Sequence, residues 1–283
     1  MYINNGAGNY SSLAQRNALA TTTSNYFINL KTYFDQTHMP LLTNNSDIQL
    51  RVYMDSASNQ INQSTLTGTG VSTINSCNVI CKITRLDQIT AQNTLATLSK
   101  SPFHHLFHDL RFGQFNILNS TASTALSAQI VLTPIVGKIA MLYFFLRPVD
   151  KVTGLNQLKF TPITSYSILD STSTNIVGGQ DILNSVHLNY LSLFNCQSSY
   201  VQEIASGITD NSANVYCYSF SSDPIECIKT GQLLGSRQFT GNESLKINFT
   251  SGSGITSNYT LTVYAYCESA IEQGTGYIKK LSL

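Results

Sequence analysis

At 283 residues the chain has room for one large β domain or two smaller ones. Charged residues make up only 11% of it, and 16 basic against 15 acidic side chains leave a formal net charge of +1. That balance offers no electrostatic footprint for a polyanion, which speaks against direct sequence-specific nucleic-acid binding. Solvation falls to abundant Ser, Thr and Asn, residues that compete with helix interiors for backbone hydrogen bonds. With Thr favouring strands, the composition leans all-β with many loops.

Residues 1–24 are polar and poor in bulky apolar side chains, as in an arm or loop. No basic n-region and apolar h-region of a signal peptide is present there, so export is not expected. Tyr26-Phe27-Ile28-Asn29-Leu30 leads through a helical turn over 31–37 to a strand at 48–54, where apolar residues take every second place. A long loop over 55–75 follows, and then the alternating segment Cys77-Asn78-Val79-Ile80-Cys81-Lys82-Ile83. On a strand Cys77 and Cys81 share a face but stand about 13 Å apart, too far to bridge. With Cys196, Cys217, Cys227 and Cys267 they are expected to be free thiols, which fits folding in a reducing compartment.

Pro and polar residues at Ser99-Lys100-Ser101-Pro102 set a boundary, dividing the chain into an N-terminal region, 1–98, and a C-terminal domain, 99–283. Beyond it strands are expected at 105–116, 128–133, 139–147, 165–169 and 214–220. The run over 139–146 is apolar on both faces and well short of the ~20 residues a membrane span needs, so it reads as a strand covered on both sides. Two short helices are expected. One lies over 181–193, although Leu188-Asn189-Tyr190-Leu191 also fits an extended chain. The other has Asp223 as N-cap, Pro224 at the first helical position, Glu226 in the first turn and Gly231 as the stop.

In Ser244-Leu245-Lys246-Ile247-Asn248-Phe249-Thr250 the apolar residues fall on odd positions, and they do so again from Tyr259 to Cys267. The polar turn Ser251-Gly252-Ser253-Gly254 between them makes the pair read as a hairpin. Lys279-Lys280 reads as a solvated tail. The whole fits an all-β fold, an antiparallel jelly-roll sandwich with short helices in its connecting loops, and no Trp marks an immunoglobulin core.

Candidate chemistry is thin. His104-His105-Leu106-Phe107-His108-Asp109 is the histidine cluster of the chain. His104 and His108 on one strand face would lie about 13 Å apart, too far for one ion. A helix would bring them to i, i+4 but lacks the Glu of a zinc protease. His38 and His187 are too distant in sequence to place. The histidines are therefore expected at the surface or in an interface, and no metal, cofactor or catalytic residue is assigned. No cupin His-x-His, nucleophile elbow or phosphate loop occurs, and Gly178-Gly179 alone is a turn. Asp109, Asp170, Asp181, Asp210 and Asp223 sit beside turn signals, where Asp caps backbone groups. Asn-x-Ser/Thr triplets at Asn9, Asn44, Asn62, Asn119, Asn242, Asn248 and Asn258 are what so Asn-, Ser- and Thr-rich a composition generates by chance. Tyr is abundant, with 15 copies beside 13 Phe. Tyr216, Tyr218 and Phe220 share one strand face and Tyr264 and Tyr266 another, which suits packing against a neighbour more than sugar stacking.

Five stretches in order carry a family resemblance: Leu142-Tyr143-Phe144-Phe145-Leu146-Arg147-Pro148; Asn175-Ile176-Val177-Gly178-Gly179-Gln180; Asn214 through Pro224; Gly235-Ser236-Arg237-Gln238-Phe239-Thr240-Gly241-Asn242-Glu243; and Tyr259 through Ser269. From about residue 100 onward the chain resembles the second jelly roll of the double-jelly-roll major capsid proteins of icosahedral double-stranded DNA viruses, a group that includes tailless phages, virophages and adenovirus-like elements. The resemblance implies a virion protein, assembled inside the host cell, that forms pseudo-hexagonal homotrimers and a capsid lattice. Its implied partners are further copies of itself, minor capsid or penton proteins, and an internal membrane beneath the shell. Residues 1–98 match only the closing half of a first roll, which leaves a truncated capsid protein, a small first roll, or a single roll with an N-terminal extension. The competing reading is a jelly-roll carbohydrate- or receptor-binding module on a virion or cell surface.

Overall fold

The computed structural model describes residues 85–118, 125–149, 160–176, 183–184, 215–223, 227, 233–251 and 258–281, with single positions at 51, 78 and 80. Among them are one helix, α1 (Gln88–Lys100), and ten strands. These are β1 (Phe103–Ile117), β2 (Ala125–Val131), β3 (Val136–Pro148), β4 (Ile163–Leu169), β5 (Leu183–Asn184), β6 (Tyr216–Ser219), β7 (Arg237–Thr240), β8 (Ser244–Thr250), β9 (Tyr259–Gly274) and β10 (Tyr277–Leu281).

The strands form two antiparallel sheets. The larger runs β1-β9-β3-β6, with β7 on β3 and β10 on β9; the smaller runs β2-β8-β4-β5. Pairing is nested: β1 with β9, β2 with β8, β3 with β6 and β7, β4 with β5. A chain folded back on itself in this way, alternating between two facing sheets, is a jelly roll with its two Greek keys. The fold class is therefore all-β, and residues 103–274 alone complete the wrap.

The core lies between the sheets, and strand parity builds it. On β8 the odd positions Leu245, Ile247 and Phe249 point inward and are buried. On β9 the inward set is Leu261, Val263, Ala265 and Cys267, and on β3 it is Leu142, Phe144 and Leu146. Phe144 meets Tyr166 of the facing sheet edge-on, with ring centroids 4.9 Å apart, and lies against Tyr216 at 5.8 Å. The Tyr216 hydroxyl accepts from the Ile163 amide across the core at 2.9 Å, so a buried polar group finds its partner. The stretch over 235–243 has a similar logic. Phe239 enters the core, Gly241 takes a positive φ of 87° that suits glycine, and the buried Glu243 carboxylate accepts from the amides of Thr240 (2.8 Å) and Gly241 (3.0 Å).

Several expectations need correction. β8 and β9 are not a hairpin: β8 pairs with β2 and β4, β9 with β1 and β3, so the chain crosses between sheets after Thr250. Leu183 and Asn184, expected in a helix, are extended and pair with Tyr166 and Ser165; the rest of that helix lies outside the described residues. Lys279-Lys280 is no tail but part of β10, which the two-residue Thr275-Gly276 turn folds back onto β9, Gly276 having φ 81°. Asn78 and Ile80 are exposed and outside any strand, and the neighbouring Cys77 and Cys81 lie outside the described residues. Helix α1 was not anticipated. It starts because the Asp87 side chain accepts from the Thr90 amide at 2.9 Å, and it ends at Ser101. The division at 98/99 falls in its last turn. At the second expected helix, Cys227 is helical and its amide bonds the Asp223 carbonyl at 3.0 Å, as the N-cap reading requires.

Candidate functional site

Two faces of the larger sheet have different fates. Inward-facing positions of β1 include Phe107 and Ile117, both buried. The opposite parity presents Leu106, Leu110 and Phe112 to solvent at 52%, 57% and 61% exposure. Alternation along an extended strand puts all three on one surface, about 20 Å from end to end. Tyr264 of β9 stands beside Phe112 with ring centroids 6.0 Å apart, and Phe145 of β3 continues the apolar band to Phe160 at 4.4 Å. No Asp, Glu, Lys or Arg interrupts positions 104–116 on this face, because Asp109 and Arg111 have the other parity. An uncharged surface rich in aromatic residues and rimmed by polar ones is what a protein interface core needs.

The aromatic ladders separate accordingly. Of Tyr216, Tyr218 and Phe220, expected to pack against a neighbour, Tyr216 belongs to the core between the sheets and half-buried Tyr218 and Phe220 pack against it. Tyr264 and Tyr266 take the outer face, where they are half-buried.

The histidine cluster also divides. His104 is exposed, and His105 Nε2 lies 3.1 Å from Gln273 Oε1 on the inner face. His108 is buried, which overturns its surface placement. Its ring stacks on Tyr266 with centroids 4.5 Å apart and planes 9° from parallel, and its Nε2 lies 3.3 Å from Cys227 Sγ. Cys227 thus covers the outer face at His108, between Leu106 and Leu110, over a small cluster of Ala140, Met141 and Cys217. A Cys beside a His invites a nucleophile reading, but burial pushes the Cys227 thiol up, with the negative Glu268 and Asp223 adding to it against the bond from Ser221. A thiol held protonated in a closed site lacks the exposed thiolate that cysteine chemistry uses. Among the described residues no three His, Cys, Asp or Glu side chains come together in a metal-holding group, and Cys217, Cys227 and Cys267 are buried and form no disulfide. No described helix is long and apolar enough to cross a membrane. His38, His187, Asp181, Asp210, Cys77, Cys81, Cys196 and Gly178-Gly179 lie outside the described residues. Asp170 accepts from the amides of Thr172 and Thr174, both at 2.9 Å, and so caps a turn as expected.

At the far end of the inner face, Asp109 is ion-paired with Lys280 of β10, and Arg111 donates to the Val136 carbonyl that opens β3. These contacts tie β1 to β10 and β3 across β9.

No protein-family profile matches the chain, and no curated protein matches it. Among solved structures it is similar to the VP54 protein of PBCV-1, as fitted into a reconstruction of the virophage Sputnik, with 15% identity and a TM-score of 0.49 over 70% of this chain and 55% of that one. It is similar to the Faustovirus major capsid protein with 10% identity and a TM-score of 0.43, over 65% and 36% of the two chains. For the major capsid protein P2 of bacteriophage PM2 the figures are 11%, 0.28, 62% and 52%. The chain spans about half the length of the first of these, 55%. The nested pairing of β1 with β9, β2 with β8, β3 with β6 and β4 with β5 is by itself a jelly roll.

Proposed function

We propose that this chain is a structural protein of a viral capsid, a major capsid protein that works by associating with copies of itself. The observation that carries the reading is the apolar outer face at Leu106, Leu110 and Phe112. The jelly roll does not need these side chains for its own core, and a shell subunit needs such a surface for permanent contacts. The order of sequence motifs from Leu142 to Ser269 and the complete jelly-roll wrap agree with it, although fold alone does not fix function.

In this reading residues 99–283 are one capsid jelly roll and residues 1–98 the remainder of a first. Three copies form a pseudo-hexagonal trimer, trimers tile an icosahedral shell, and the protein resides in the virion beside minor capsid or penton proteins and over an internal membrane. It carries out no catalysis, needs no cofactor and does not read nucleic-acid sequence. Negative-stain images of the purified full chain test this. Pseudo-hexagonal particles or shells are expected. Isolated monomers that bind glycans through the Phe112–Tyr264 surface would replace the capsid reading with that of a binding module.

A further inference from the structure

Strand β1 is an edge. It pairs with β9 along its whole length from Phe103 to Ile117, and no described strand pairs with its other side. A long edge is a template for another strand unless something guards it; β1 contains no Pro, no Lys and no bulge, and its inward-facing charges, Asp109 and Arg111, guard it against any strand that leaves them unmatched. We propose that β1 pairs antiparallel with β1 of a second copy of this chain across a two-fold axis at Leu110, fusing the two larger sheets into one. The inference rests on the capsid reading only in taking the occupant to be another copy.

The sequence of β1 is self-complementary about that residue. Leu110 is the midpoint of the strand, so a two-fold there pairs it along its full length. On the inner face Asp109 falls opposite Arg111 of the second copy, and Arg111 opposite Asp109, which gives two cross-strand opposite-charge pairs. Both side chains are partly exposed, at 27% and 31%; Asp109 meets Lys280 and, at 3.9 Å, Arg111 within its own chain, leaving part of its carboxylate open, and the Arg111 fork keeps donors beyond the one given to Val136. On the outer face Leu110 meets its own copy and the apolar band doubles in length. Other registers break this agreement: a shift of the axis by one residue, to 109 or 111, sets each of these charges against itself or against an uncharged position. An isologous contact of this kind closes on itself and is the commonest form of symmetric association.

The test uses the full chain and sedimentation. Asp109→Arg alone and Arg111→Asp alone each place like charges at both pairs, and each should weaken two-fold association by about tenfold or more. An equimolar mixture of the two variants restores both pairs between chains, so it should associate like the unaltered protein; an ion pair acting only within one chain gives no such rescue. Leu110→Cys should in addition cross-link to itself under mild oxidation above the unaltered background, while Leu106→Cys should not, because the two-fold sets residue 106 opposite residue 114. A mixture no better than either variant while the unaltered chain still assembles overturns the pairing and leaves the capsid reading standing. A monomeric unaltered chain overturns both. Dimers that go no further support the pairing and remove the shell.

Discussion

The two faces of the larger sheet are built by the same strands yet answer to different partners. Inward, Phe144, Leu146, Leu261 and Val263 meet Tyr166, Ile247 and Phe249 of the smaller sheet, and nothing of them remains for solvent. Outward, Leu106, Leu110 and Phe112 on one neighbouring strand stay more than half exposed. Apolar character on both faces is therefore not redundancy. The inner set stabilises the chain, and the outer set is left over for association, so substitutions on the two sides should fail in different assays.

The largest effect is expected inside. Phe144→Ala removes a fully buried ring that contacts Tyr166 and Tyr216, and should cost about 3–5 kcal/mol in urea unfolding, a large share of the roughly 5–15 kcal/mol of an ordinary domain. Phe112→Ser, on the other face, should stay within about 0.5 kcal/mol of the unaltered chain while weakening its association. Equal losses of stability would erase the distinction between the faces.

Gly113 sharpens the comparison within one strand. A Cβ there would lie 2.7 Å from Pro134 Cγ and 2.9 Å from the Phe115 ring, so Gly113→Ala should cost about 1–3 kcal/mol despite adding a single methyl to β1. A neutral Gly113→Ala would mean that the turn carrying Pro134 does not press on the sheet as described.

The histidines divide by face and burial. His108→Gln breaks the stack on Tyr266 and the contact with Cys227, and a loss of about 1–3 kcal/mol is expected, whereas His104→Gln should be silent. Thermal midpoints of the two variants check this, and equal midpoints would contradict the placement of His108.

The smallest effect concerns pH. Burial holds the Cys267 thiol at about 11 against an ordinary value of 9.0, and the Tyr266 hydroxyl at about 12 against 10.0. Both groups are raised in the folded state, so the folded chain favours their neutral forms. That stability is fully present below pH 9 and is lost as pH climbs through the folded values. Urea midpoints should be flat from pH 7 to 9 and fall above it, and a midpoint that rises above pH 9 would reverse the argument.

Much of the architecture was legible because period-two alternation reports which side chains share a face. The odd positions of β8 and the two-sided burial of 139–146 follow from that alone. Alternation does not report which strand lies alongside, so β8 and β9 looked like a hairpin although they occupy opposite sheets. Helix α1 escaped because its interior is rich in Thr and Asn and buries only Leu98; its clearest signal was Asp87 three residues before Thr90. β10 escaped because Lys279-Lys280 read as a solvated tail, when the Thr275-Gly276 turn folds it back on β9 and the Tyr277 ring covers Gly274. The outer stripe was present in the sequence as apolar residues on both parities of 103–117, a pattern that marks a strand with two covered faces. Burial of His108 was not legible, because the groups that enclose it, Cys227 and Tyr266, are more than a hundred residues away in sequence.

The outer stripe belongs to association and not to folding. The most direct measurement is sedimentation velocity of the full chain beside a variant carrying Leu106→Ser, Leu110→Ser and Phe112→Ser, with a urea midpoint for each. A trimer or larger is expected for the unaltered chain and a folded monomer with a nearly unchanged midpoint for the variant. A monomeric unaltered chain, or a triple variant that still assembles like it, would contradict the claim.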